Sequence, residues 1–97
     1  PEEVNFSTRV FFPNLGQEEQ AAALGLLREL RDAGVAAEIY PDCGKMKKQM
    51  EYANRRGIPY VVIVGSQELE AKAATVKDMR SGEQRQVPFG ELTAYFK

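Results

Sequence analysis

The chain contains no histidine and no tryptophan, and a single cysteine, Cys43. One thiol cannot form an internal disulfide, and without histidine a zinc site would need ligands from outside the chain. The same absence removes the usual general base of Ser–His or Cys–His catalysis, so Cys43 reads as incidental rather than nucleophilic. No apolar run approaches the roughly 18 residues of a membrane span, and the opening PEEVNFS lacks the basic and apolar regions of a signal peptide. The chain therefore reads as cytoplasmic, with no membrane partner. Phosphate-binding signatures are missing too. The first loop, PNLGQEEQ, holds one glycine, which fits neither a GxGxxG turn nor a P-loop.

What is present is an ordinary globular composition: 97 residues, 43% apolar and 28% charged, enough for one domain with one core. Its formal net charge of -1 hides an asymmetry. Residues 1–42 carry 3 basic and 8 acidic side chains, net -5, whereas residues 43–85 carry 9 basic and 5 acidic, net +4. The excess is sharpest in GKMKKQMEYANRRG, where Lys45, Lys47, Lys48, Arg55 and Arg56 face one anion, Glu51. Since the chain opens on Pro1 rather than methionine, it reads as processed or as a domain cut from a longer protein.

Local patterns predict the elements in order. RVFF, stopped by Pro13, reads as a short buried strand. From Gln17 to Ala33, Ala23, Leu26, Leu27 and Leu30 recur on one helical face, with acids at the start, basic residues at the end and Gly34 as the stop. Val35 to Tyr40 alternates as a strand, PDCG turns the chain, and a second helix runs to Gly57. YVVIVG after Pro59 is apolar on both faces, as expected of a central parallel strand. SQELEA reads as a polar loop or half-turn. Ala73 to Met79 and Gln84 to Val87 read as a hairpin around RSGE, and Pro88 opens a closing helix bearing Phe89, Leu92, Tyr95 and Phe96. The alternation of strand and helix predicts an α/β fold with right-handed crossovers and a sheet that ends mixed.

On the second helix, turning about 100° per residue, Met46, Met50 and Ala53 fall on a core-facing side, and Lys45, Lys48, Tyr52 and Arg56 gather on another with Arg55 at its border. Such a lysine-rich face is most often a solvated surface. Here the excess is local, an aromatic lies within it where a base could stack, and the predicted hairpin adds Lys72, Lys77, Arg80 and Arg85. Those features point to weak docking of a polyanion, single-stranded RNA above all. Paired acids such as Glu18 and Glu19, Glu68 and Glu70, and the lone Asp42 stand where helix starts and polar loops normally carry them.

Read in order, RVFFP, ELRDAGVAAEIY, GKMKKQMEYANRRGIPYVVIVG and ELEAKAATVKDMRSGEQRQVPFGEL resemble the carboxy-terminal anticodon-binding domain of class II aminoacyl-tRNA synthetases, most closely that of the histidyl branch. The likeness runs from about Thr8 to Lys97, leaving residues 1–7 as residual linker. It rests on LRDAGV, KMKKQ followed by Tyr52 and Ala53, GIPYVVIVG and VKDMRSGEQ taken together. The resemblance implies a three-layer α/β/α fold with three helices and a five-stranded mixed sheet of order 2-1-3-4-5, strand 4 antiparallel. It implies a non-catalytic, cofactor-free domain that grips the anticodon stem-loop of a histidine-specific tRNA. Histidine activation, using ATP and magnesium, would belong to a separate catalytic domain of a homodimeric parent ligase. In relatives, anticodon bases are met by the turn into the second helix, the loop after strand 3, and strand 4. Those regions fall at Cys43, Gly44 and Lys45, at Glu68, and at Lys77; Lys45, Lys48 and Arg80 would hold the RNA backbone. Some relatives carry arginine where Lys77 stands, and lysine lacks that planar fork. A regulatory or protein-interaction module on the same fold is the alternative, because fold alone does not fix function.

Overall fold

The computed structural model describes residues 8–40 and 44–96. Within them the chain runs β1 (Val10–Phe12), α1 (Gln17–Asp32), β2 (Ala37–Ile39), α2 (Met46–Arg56), β3 (Tyr60–Ile63), α3 (Ser66–Ala71), β4 (Ala73–Asp78), β5 (Gln84–Pro88) and α4 (Leu92–Phe96), with a 3₁₀ turn at Phe89–Glu91 before the last helix. The strands form one sheet in the order β2-β1-β3-β4-β5. β1 pairs in parallel with both β2 and β3, while β4 is antiparallel to β3 and to β5. The expected order and direction of strands are thus met.

Alternation along β1 splits the core in two. Val10 and Phe12 point to one side, where they pack with Leu26, Leu27 and Leu30 of α1, Leu69 of α3, and Leu92 and Phe96 of α4. Phe11 points to the other, into a smaller cluster with Val61, Ile58 and Ala53 of α2. Among the described residues three helices therefore cover one face and α2 alone lies on the other, giving the three layers. All three residues of β1 are fully enclosed, and burying each phenylalanine contributes on the order of 2–3 kcal/mol.

Helix ends follow local chemistry. Gly57 adopts the left-handed conformation at φ 70°, and the Ile58 N–H then returns to the Ala53 carbonyl at 3.1 Å, the usual closure of a helix on glycine. α3 ends the same way on a non-glycine residue, Lys72 at φ 56°.

Two expectations change. SQELEA is a six-residue helix rather than a loop, which makes four α-helices among the described residues where three were expected; Glu68 stabilises its start by accepting the Gly65 N–H at 2.9 Å. Pro88 ends β5 and is at the same time the N-cap of the 3₁₀ turn that leads into the last helix. Phe89 N–H bonds to the Lys72 carbonyl and Asp78 N–H to the Glu83 carbonyl, which sets the alternation of the β4–β5 ladder. Pro88 consequently falls at an outward-facing position of this edge strand, where a missing N–H forfeits no ladder bond.

Candidate nucleic-acid interface

In open α/β sheets, ligands meet the loops beyond the carboxyl ends of the parallel strands. Here those loops follow β1, β2 and β3, and two amides bind the first two together. Gln49 of α2 is fully buried; its Oε1 accepts the Asn14 N–H at 2.6 Å, and its Nε2 donates to the Asn14 and Gly44 carbonyls at 2.9 and 3.0 Å. Asn14, itself buried, donates from Nδ2 to the Tyr40 carbonyl. The start of α2 is therefore fixed to the β1–α1 loop through one side chain. Gln49 lies with Ala53 on the buried seam, and Met46 and Met50 are only partly enclosed. The glutamine stands between the expected methionines in sequence, but its polarity concealed its place on that seam.

The first turn of α2 is electrostatically unusual. Lys45 is the N-cap, no side chain caps the helix, and no acid lies in the first turn. Lys45, Lys47 and Lys48 are all exposed, and no carboxylate of a described residue forms an ion pair with them or with Lys77. Cations at the positive end of a helix dipole are unfavourable by some tenths of a kcal/mol each, and an anion there is favoured. Gly44 adjoins this turn and is exposed. Cys43, expected in the same turn, lies outside the described residues, as do residues 1–7, expected to be linker.

Farther along α2, the expected stripe turns elsewhere. The Tyr52 ring packs against Phe11 and Tyr40, with centroids 5.5 and 5.3 Å away, and its hydroxyl donates to Glu38 Oε2 at 3.0 Å. Arg56 donates to the Tyr52 hydroxyl and pairs with Glu38 at 3.3 Å. Thr8 adds a third donor to Glu38 at 2.6 Å. The physical reason is the sheet: Glu38 and Tyr40 point from the β2 side toward α2, so the nearest carboxylate and ring claim the middle of the stripe. Tyr52 and Arg56 thus face the β2 edge, whereas Lys77 and Arg80 belong to the hairpin at the opposite edge. The cations do not form one continuous surface with the hairpin, and the Tyr52 ring is a core element rather than an open stacking platform.

Glu68 closes the loop after β3. Beyond its bond to Gly65, its Oε2 accepts from Thr75 Oγ1 at 2.8 Å, which ties α3 to β4; a carboxylate retains further acceptor sites beside those two. Lys77 is half-buried in β4, opposite Val61 on one side and Gln84 on the other. It shares a sheet face with Thr75, two residues before it. Arg80 is exposed in the β4–β5 turn, which starts about 10 Å down the strand from Thr75 at roughly 3.4 Å per residue. Lys45, Lys48 and Glu68 accordingly sit at the carboxyl rim, Lys77 lies inward from it, and Arg80 is at the other end of the sheet.

A family model described as "Anticodon binding domain" matches residues 9–97. The chain belongs to the anticodon binding domain family. Among curated relatives, the histidine–tRNA ligase of Bacteroides fragilis is 48% identical over 92 residues, which is 95% of this chain and 20% of that protein. That of Phocaeicola vulgatus is 48% identical over the whole chain and 21% of its own length. The chain thus spans about a fifth of the relatives it matches. Histidyl-tRNA synthetase from S. aureus superposes with a TM-score of 0.87 at 30% identity, over 99% of this chain and 25% of that one. Prolyl-tRNA synthetase from Cryptosporidium parvum reaches 0.86 at 17% identity, over 92% of this chain and 20% of that one, a likeness of fold alone. This anticodon binding domain has the sheet order expected from the resemblance. Residues that sequence reasoning did not single out are Asn14 and Gln49, which shape the rim, and Thr75, Gln84 and Gln86, which flank Lys77; polar residues carry no periodic signal of burial or facing.

Proposed function

We propose that this chain is the anticodon-binding domain of a histidine–tRNA ligase and docks the anticodon stem-loop of its tRNA against the carboxyl rim and the adjoining sheet face. Family membership over residues 9–97 supports the reading, and the observation that carries it in this chain is the uncapped, acid-free first turn of α2 with Lys45, Lys47 and Lys48 exposed. Phosphates at that turn would meet free N–H groups, the helix dipole and mobile ammonium groups together. Glu68 and Lys77 would then stand beside unpaired bases, which is how proteins usually read RNA sequence. Arg56, held by Glu38, secures the far end of α2 to the β2 edge. Histidine activation with ATP and magnesium takes place in a catalytic domain elsewhere in the parent ligase, which acts as a cytoplasmic homodimer.

Filter binding to a histidine-specific anticodon stem-loop and to the same stem with a scrambled loop tests this. The expected result is tighter binding of the first, with a log–log salt slope of about -1.4 to -2.8, as two to four phosphate contacts on unpaired RNA produce. Equal affinities, or no binding of either, would overturn it.

A further inference from the structure

Among the described residues, half of one sheet face is left bare. Through Ala53, Tyr52 and Met50, α2 packs over Phe11, Tyr40 and Val61, while α1, α3 and α4 contribute to the opposite core. Over β4 and β5 the α2-side face therefore has no covering helix among the described residues. Register places four polar side chains on it: Thr75 opposite Gln86, and Lys77 opposite Gln84. The bonds from Asp78 N–H to the Glu83 carbonyl and from Phe89 N–H to the Lys72 carbonyl fix the even-numbered residues of β4 as the hydrogen-bonded pairs. Thr75–Gln86 and Lys77–Gln84 are then the closer, non-hydrogen-bonded kind, with Cα atoms about 4.5 Å apart. Half-buried Ile63, across from Thr75 on β3, adds an apolar floor beside them.

The two glutamines differ from the rest of this row. Thr75 is committed to Glu68, but Gln84 and Gln86 are exposed and neither amide is hydrogen-bonded to any described residue. A primary amide offers a donor and an acceptor in one plane, which is the pattern of a nucleobase edge. Resting on the proposed function, we infer that Gln84 and Gln86 are specificity-determining residues that engage the edge of one unpaired anticodon base laid on the β4–β5 face. Lys77 supplies a cation beside them, and Glu68, anchored through Thr75, supplies an acceptor at the head of the row. The arrangement assigns discrimination to β5 and general affinity to the first turn of α2.

The test compares the 97-residue chain with Q84A, Q86A and the double variant. Fluorescence anisotropy is read with the histidine-specific stem-loop and with three loops that each replace one anticodon base, alongside melting temperature. The wild type should prefer the unaltered loop, and the double variant should lose about tenfold of that preference at one position, with melting temperature and salt slope unchanged. Retention of every wild-type preference in the double variant overturns the inference alone. An equal loss on all loops also overturns it, because general contacts cannot discriminate. Failure of the wild type to prefer any loop removes the proposed function and the inference with it.

Discussion

Gln49 holds both backbone polar groups of Asn14, accepting from the N–H at 2.6 Å and donating to the carbonyl at 2.9 Å, from a position with no solvent exposure. Replacing it with methionine keeps the side-chain volume but removes the hydrogen-bond partner of those two buried groups, and of the carbonyl of exposed Gly44. Each unsatisfied buried group costs about 1–3 kcal/mol, so Gln49→Met should lower the unfolding free energy by about 3 kcal/mol, a large share of a domain's stability. Urea denaturation at constant m measures this. A loss below about 0.5 kcal/mol would mean that the rim is held by other contacts.

The Glu38 network separates two kinds of contribution. The Arg56 side chain is 43% exposed, so Arg56→Ala should cost at most about 1 kcal/mol. Tyr52→Ala removes a ring packed on Phe11 and Tyr40 and should cost about 2–3 kcal/mol. Reversal of that order in thermal or urea unfolding would show that the ion pair, not the ring, secures α2 to the β2 edge.

Lys72 ends α3 at φ 56° and ψ 37°, a region that disfavours side chains by about 1–2 kcal/mol. Glycine relieves this strain but adds unfolded-state freedom worth roughly 0.5–1 kcal/mol. Lys72→Gly should therefore be neutral to stabilising, by up to about 1 kcal/mol. A clear fall in melting temperature contradicts that balance.

Val62 and Lys48 probe opposite ends of the account. Val62 is fully enclosed in β3, and Val62→Asp should leave the chain unfolded by far-UV circular dichroism, since a lone buried carboxylate has no compensating partner. Lys48 is exposed on the first turn of α2. Lys48→Glu should melt near the wild-type temperature yet bind the stem-loop several-fold more weakly, because it replaces a favourable phosphate contact with a repulsive charge. Unchanged affinity returns this lysine to the role of a solvated surface charge.

Much of the fold was legible because apolar residues report their own placement. Ala23, Leu26, Leu27 and Leu30 are all buried along α1, and the uninterrupted YVVIVG run supplies the strand between β1 and β4. Polar residues report little. The α3 segment fully buries none of its side chains and packs only Leu69 against the core, so no apolar period marks it as a helix, and Gln49 reaches the interior only because Asn14, 35 residues away, presents matching groups. The site divides the same way. The local charge excess around Lys45 and Lys48 is visible in sequence. The capture of Tyr52 and Arg56 by Glu38, 14 and 18 residues distant, needs the sheet that brings β2 under α2.

Amide chemical-shift mapping during titration with the histidine-specific anticodon stem-loop tests the central claim, that RNA meets the carboxyl rim and the bare β4–β5 face. The account predicts the largest shifts at Gly44, Lys45, Lys48, Glu68, Thr75, Lys77 and Gln86, with little change at Leu24 of α1 or Tyr95 of α4 on the other side of the sheet. Shifts concentrated at Leu24 and Tyr95, with the first turn of α2 unmoved, would contradict it.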